Sequence, residues 1–230
     1  MSPEPEPPLA SLRLRIAQAT PPDVGHAARA PVRLLAVSKL QPASAVAALA
    51  AQGQTAFGEN YVQEAMAKRA ELAALGLEWH LIGPLQSNKC RDAAATFDWV
   101  QSVDRTKLVG LLARHRPAGA APLNVLLQVN VEGEASKAGC APEAVDALAA
   151  AVAAEPALRL RGLMAIPVPH ADVEQRRPAF RAMRALFERL RARYADVDTL
   201  SMGMSDDFAV AIEEGATMVR VGTALFGARG

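Results

Sequence analysis

Three stretches of the chain carry residue types that could act together on one small molecule. Lys39 follows Val32-Arg33-Leu34-Leu35-Ala36-Val37-Ser38, a short apolar run that Gln41-Pro42 interrupts, so it stands at the end of a predicted strand. An amine there can have a buried stem and an ammonium facing a cleft. Partial desolvation lowers its pKa and makes it a nucleophile toward a carbonyl. The plainer reading is a strand-end lysine that snorkels to water. The second stretch, Ser201-Met202-Gly203-Met204-Ser205-Asp206-Asp207, sets a glycine turn and hydroxyls at a predicted helix start, where free backbone amides attract an anion. Such an interaction contributes roughly 0.3–1 kcal/mol when exposed and about 2 kcal/mol when partly buried. The third, Arg220-Val221-Gly222-Thr223, offers more amides and another hydroxyl. A lysine that forms an imine needs an aldehyde, and two anion-binding stretches suit a phosphorylated one. Read singly, Ser205 is a helix cap and Gly222 a close-packing glycine. Their coincidence with Lys39 favours a phosphate cup.

Other chemistries find little support. His26, His80, His115 and His170 lack metal-ligand spacing, and neither a Gly-x-Ser-x-Gly elbow nor a Walker loop occurs. Asp206-Asp207 could form a magnesium pair, but carboxylates in a helix's first turn ordinarily complement its dipole. The formal charge of +1 over 230 residues gives no footprint for nucleic acid or an anionic membrane. Two isolated cysteines, Cys90 and Cys140, suit a reducing compartment, and the chain is expected in the cytoplasm. No apolar run approaches membrane-spanning length. The acidic, proline-rich start is unlike a secretory signal, and residues 1–8 are expected to form a disordered tail.

The elements that would position these residues alternate. A first helix runs from Leu9 to about Ala19 and ends at Pro21-Pro22. Strands are then predicted over residues 32–37, 55–58, 79–82, 98–103, 123–131, 159–166, 198–202 and 217–226. Helices are predicted over 43–52, 61–75, 87–95, 104–115, 142–154, 173–194 and 205–214. In the second of these Val62, Ala65, Met66, Arg69 and Leu72 share a face, and Asp104 is the expected cap of the fourth. The seven arginines of 173–194 are mixed with Glu174 and Glu188 and read as a solvated helix face rather than an RNA or DNA surface. Strands alternating with helices across long connections are the signature of a single (β/α)8 barrel over residues 9–230, with the first helix as an addition. Its active site would lie at the strand ends, where Lys39, Asn60, Gly83, Asn130, Ile166, Ser201 and Gly222 fall. A doubly wound open sheet is the alternative, disfavoured because no Gly-x-Gly-x-x-Gly turn follows the first strand.

Five motifs carry a resemblance. They are Ala36-Val37-Ser38-Lys39, Phe57-Gly58-Glu59-Asn60-Tyr61-Val62-Gln63-Glu64, the stretch from Trp79-His80 through Gly83-Pro84-Leu85-Gln86-Ser87-Asn88-Lys89, Leu200-Ser201-Met202-Gly203-Met204-Ser205, and Val219-Arg220-Val221-Gly222-Thr223. Together they closely resemble the pyridoxal-phosphate homeostasis protein family over residues 34–229. The resemblance implies a barrel like the N-terminal domain of alanine racemase, with pyridoxal 5′-phosphate held as an imine on Lys39. It also implies that Arg220 faces the pyridine nitrogen and that Ser205, Gly222 and Thr223, with Ser201 nearby, hold the phosphate. Asn60 and His80 would line the ring, and Lys137, in Glu134-Ala135-Ser136-Lys137-Ala138-Gly139, would take part in cofactor transfer. Two functions then compete: a monomeric carrier that stores cofactor or delivers it to apoenzymes, and an amino-acid racemase. Racemisation needs a second acid/base on the opposite face of the substrate. In alanine racemase, the resemblance implies, this is a tyrosine from a separate β domain. The chain ends soon after the eighth strand and holds only Tyr61 and Tyr194, so the carrier is the favoured expectation.

Overall fold

Short runs of valine, leucine and alanine bounded by turn residues give eight strands, each too short to stand alone. The computed structural model describes residues 8–20 and 30–227, and in it these strands bond edge to edge into a closed barrel. They are β1 (Arg33–Val37), β2 (Ala56–Glu59), β3 (Glu78–Leu81), β4 (Trp99–Val103), β5 (Leu123–Gln128), β6 (Leu158–Met164), β7 (Thr199–Ser201) and β8 (Met218–Val221). Every pairing is parallel, in sequence order, and β8 returns to β1 with Ala36 opposite Val221. Between the strands lie α2 (Ala43–Ala51), α3 (Val62–Glu71), α4 (Cys90–Thr96), α5 (Thr106–His115), α6 (Val145–Ala153), α7 (Arg177–Arg191) and α8 (Phe208–Glu213). The additional helix α1 (Pro8–Ala19) buries Leu9, Leu12 and Ile16 and packs against α8 and the single turn α9 (Thr223–Phe226) that follows β8. Among the described residues no helix is long and apolar enough to cross a membrane.

The (β/α)8 order is the expected one; several boundaries differ for local reasons. Residues 1–7 of the expected tail, and the Pro21-Pro22 stop, lie outside the described residues, and Pro8 already belongs to α1. β5 ends at Gln128 because Val129 turns aside to bridge Cys140, whose N–H donates to Gln128 O. Asp104 does not cap α5. Its carboxylate accepts from Arg105, and the helix opens at Thr106. α8 opens at Phe208 rather than Ser205, because Asp207 Oδ1 accepts from Met204 N–H and holds residues 204–207 as a turn. β8 stops at Val221, where Gly222 leads into α9. In α3 the buried face is Val62, Ala65 and Lys68, while Met66 is exposed.

Most of the apolar core lies between the strands and the helices. Inside the barrel the apolar packing divides into two small groups, Leu35, Ala56 and Met218, and Trp99, Leu126 and Met164. Polar side chains fill the remaining space. Gln101 on β4 bonds to Ser201 on β7, three strands away, which only a contact across the interior can do.

The turn that carries Lys39 is held from below by buried charge. Lys68 Nζ donates to Ser38 O, Glu59 Oε1 and Glu64 Oε1, each at 2.7 Å. Ser38 Oγ donates to the same Glu59 oxygen at 2.6 Å. Leu40, at φ 62°, is the only non-glycine residue with positive φ among the described residues, a conformation that costs about 1–2 kcal/mol. Its N–H donates to Glu64 Oε1 at 2.6 Å, which offsets part of that cost. Burial raises the Glu59 carboxyl above its ordinary pKa, with Lys68 and Ser38 pulling the other way. Removing one partner from a buried ion cluster typically costs about 3–5 kcal/mol, since it strands the others without a countercharge. Lys68→Met is therefore expected to lower unfolding free energy in urea by about that much, and adding Glu59→Gln should recover part of it. A loss below about 1 kcal/mol, the worth of a surface pair, would show that the cluster does not hold the turn.

Candidate functional site

At the C-terminal end of the barrel the loops surround a pocket of about 230 Å³, below the roughly 300–1,000 Å³ of clefts that take drug-sized molecules. It suits a small ligand. Lys39, Asn60, Ser205, Arg220, Gly222 and Thr223 all line it, although they come from four separate strand ends. Ile82, Ile166 and Phe226 give it an apolar wall. Gly83 is required by close packing: a Cβ there would lie 2.3 Å from Asn60 O, so a side chain would displace the Asn60 loop. At Gly222 a Cβ would press on Val37, 3.1 Å from its carbonyl oxygen.

The two ends of the pocket differ in chemistry. On one side, among the described residues, no acceptor meets the backbone N–H or the hydroxyl of Ser205 or of Thr223. The Ser205 amide belongs to a turn and that of Thr223 to the first residue of α9. Four uncommitted donors facing one cavity suit a multiply charged oxyanion. On the other side Arg220, 4 % exposed, is fixed by the protein. Nη1 donates to Ser201 O at 2.7 Å and to Ser201 Oγ at 2.8 Å, and Nη2 donates to Ala165 O at 2.8 Å. Burial pulls the Arg220 pKa down to about 10, with Asp207 opposing, so the guanidinium keeps its charge at neutral pH. The nearby carboxylates Glu213 and Glu214 pair with Arg177 and Arg181 rather than with Arg220.

Three residues expected at the site stand elsewhere. Ser201 lies behind Arg220, its hydroxyl donating to Gln101 Oε1 at 2.7 Å, and does not line the pocket. His80 is fully buried inside the barrel, stacked on Trp99 with ring centroids 5.1 Å apart. Strand alternation turns it inward one residue before β3 ends, and both ring nitrogens are bonded, to Glu78 and Gln101. Lys137 sits on the β5–α6 loop, where Nζ donates to Ile166 O and pairs with Glu134, both at 3.3 Å. It thus contacts the carbonyl of a lining residue. Asp207, imagined as half of a magnesium pair, is bonded by Arg176 at 2.6 Å, and the described residues contain no cluster suited to a metal ion. The sequence does not mark Gln101. It belongs to no motif, and its only signal is a long amide between the apolar residues Val100 and Val103, beside Ser102.

Comparison with known proteins places the chain in a family and matches its fold. The model of the alanine racemase N-terminal domain family matches residues 24–230. The pyridoxal phosphate homeostasis protein of Pseudomonas aeruginosa is 60% identical over 200 residues, covering 87% of this chain and 86% of its own. That of Escherichia coli is 53% identical over 201 residues, covering 86% of each. The structure of Synechococcus elongatus PipY with PLP bound superposes with a TM-score of 0.82 at 39% identity, covering 96% of this chain and 98% of that one. Alanine racemase from Corynebacterium glutamicum shares the fold, with a TM-score of 0.67 at 19% identity over 96% of this chain and 61% of that one. The chain belongs to the alanine racemase N-terminal domain family and, within it, to the pyridoxal phosphate homeostasis proteins.

Proposed function

We propose that this chain takes pyridoxal 5′-phosphate into the pocket at the barrel's C-terminal end, holds it covalently on Lys39, and stores it or passes it to apoenzymes. The observation that carries this reading is the meeting in one pocket of an amine, a fixed guanidinium and the uncommitted donors of Ser205 and Thr223. Those donors fit a phosphate, Gly222 lets backbone approach it, and Lys39 fits an aldehyde. When bound, the cofactor supplies a reactive aldehyde and a ring that can draw in electrons.

The protein's own groups then set how far that reactivity goes. Lys39 would hold the cofactor through its aldehyde, with water as the other product. Asn60 would border the ring. Arg220 would donate a hydrogen bond to the pyridine nitrogen and, unable to exchange a proton with it at neutral pH, would keep that nitrogen unprotonated and the ring a weak electron sink. Ser201 works through Arg220. Lys137, bonded to the Ile166 carbonyl at the pocket wall, is placed in this reading as the residue that assists transfer. The carrier is read as a cytoplasmic monomer, with Cys90 and Cys140 both free and buried, and neither nucleic acid nor a membrane is among its partners.

Racemase chemistry is the competing reading, because the fold is shared. It requires an acid/base on each side of the substrate carbon. Among the described residues the ionisable side chains lining the pocket are Lys39 and Arg220, and the second cannot serve as a base. Tyr61 points to solvent, and Tyr194 packs against the core.

Three outcomes are expected. Lys39→Ala should abolish the visible absorbance of the bound cofactor while the protein still unfolds cooperatively; borohydride-reduced cofactor found instead on Lys89 or Lys137 would sink the assignment. Purified protein loaded with cofactor should interconvert alanine enantiomers far more slowly than about one turnover per second, the low end of ordinary enzyme rates. A rate at or above that would restore the racemase reading. Replacing Arg220 by glutamate should let the ring nitrogen protonate, weaken cofactor retention, and raise exchange of an added amino acid's α-proton, followed by NMR in deuterated water. An unchanged spectrum and unchanged retention would show that Arg220 does not face the ring.

A further inference from the structure

The geometry points to Gln101, His80 and Glu78, none of which lines the pocket, as positioning residues that aim Arg220 through a one-way chain of hydrogen bonds across the barrel. This inference rests on the reading of the pocket as the cofactor site.

The chain can be followed from the far end. Glu78, at the start of β3, is partly exposed and accepts from Arg33 at 2.5 Å. Burial works against its charge, yet the hydrogen bond from His80 and the charge of Arg33 hold its carboxyl well below the usual range, so it is an acceptor only. His80 Nε2 lies 2.7 Å from Glu78 Oε1 and must therefore carry the proton. Burial pushes the imidazole below its ordinary pKa, which keeps it neutral and leaves Nδ1 with a lone pair. Nδ1 accepts from Gln101 Nε2 at 2.9 Å. That fixes the amide, so Gln101 Oε1 faces Ser201 and accepts from its hydroxyl at 2.7 Å. The Ser201 hydroxyl proton is now spent, and its lone pairs accept from Arg220 Nη1 at 2.8 Å. Each link leaves the next one choice of donor and acceptor. A carboxylate at one end of the barrel thus dictates the polarity of a serine beside the pocket at the other.

The consequence for Arg220 is a count of donors. A guanidinium has five N–H groups. The two Nη1 hydrogens go to Ser201 O and Oγ, and one Nη2 hydrogen goes to Ala165 O. The other Nη2 hydrogen and Nε–H are left for the pocket that Arg220 lines. With the chain reversed, Gln101 Nε2–H and Arg220 Nη1–H would both point at Ser201 Oγ, whose own proton would lose its acceptor. The guanidinium would then lose its fixed orientation.

Two variants reach the chain without touching the pocket. Glu78 Oε1 accepts from both Arg33 and His80, so Glu78→Leu removes the acceptor that fixes the imidazole and leaves the chain free to run either way; Gln101→Met cuts the chain with a side chain of similar length. Arg33→Gln removes the salt bridge to Glu78 but keeps the carboxylate, so it serves as the control. In cofactor-free protein, 15N NMR of the imidazole should show the Nε2–H tautomer in wild type and Arg33→Gln, and both tautomers in Glu78→Leu. In protein loaded with pyridoxal 5′-phosphate, both test variants should still carry the reduced cofactor on Lys39. They should release unreduced cofactor about tenfold more readily, equivalent to about 1.4 kcal/mol, with a shifted absorption maximum, while Arg33→Gln matches wild type. Should Gln101→Met fail to fold, Glu78→Leu decides alone. Wild-type retention and spectrum in Glu78→Leu, with cofactor on Lys39, would overturn the inference and leave the reading of the pocket standing. Failure of the wild-type protein to take cofactor on Lys39 would overturn both.

Discussion

Closure of the sheet by pairing β8 with β1 is the constraint on which the rest depends. Ala36 opposite Val221 brings the end of the first strand beside the end of the last, so that Lys39 and the Gly222-Thr223 turn share one pocket across most of the sequence. Parallel strands bond at every edge in a closed barrel, so no strand can slip without breaking two ladders. The site therefore inherits its geometry from the whole ring. The loops that carry it need little structure of their own, provided their first residues leave the strands in fixed directions.

Burial of charge is handled in two ways around that ring. Beneath Lys39, Lys68 meets two carboxylates and a carbonyl, and opposite charges compensate one another at short range. Arg220 has no carboxylate in contact among its hydrogen-bond partners and is met by carbonyl and hydroxyl oxygens instead. The first arrangement quenches charge and serves to hold backbone. The second keeps a nearly uncompensated positive charge beside the pocket, where an anionic ligand with an aromatic ring would feel it most.

The alternation of strands and helices, and hence the barrel, was legible because apolar runs and turn residues repeat through the chain. Of the lining residues, Lys39, Asn60 and Gly222 are legible as strand ends, Ser205 and Thr223 in two stretches that combine glycine with hydroxyls, and the place of Arg220 only in the family resemblance. Periodicity could not reveal depth. His80 and Ser201 lie on strands within one residue of those ends, and only inward pointing and the partners across the barrel decide that they stand behind the pocket. The burial of Lys68 is equally hidden from a helical pattern, because it depends on Glu59 and Ser38 arriving from two other elements. The start of α8 and the end of β8 are set by turns at Asp207 and Gly222 that a helix or strand pattern does not show.

The polar filling of the barrel interior has a consequence for how such a sequence can change. An aliphatic core tolerates exchange of one branched side chain for another, with each site adjusting to its neighbours by volume. Here Glu78, His80, Gln101, Ser201 and Arg220 are joined by direction as well as by size, and a replacement at one of them is acceptable only if its neighbours still agree on who donates. Substitution in this interior is therefore concerted. A change on one of the four strands β3, β4, β7 and β8 within this network therefore calls for a matching change on another, while the aliphatic layer outside them can exchange one residue at a time.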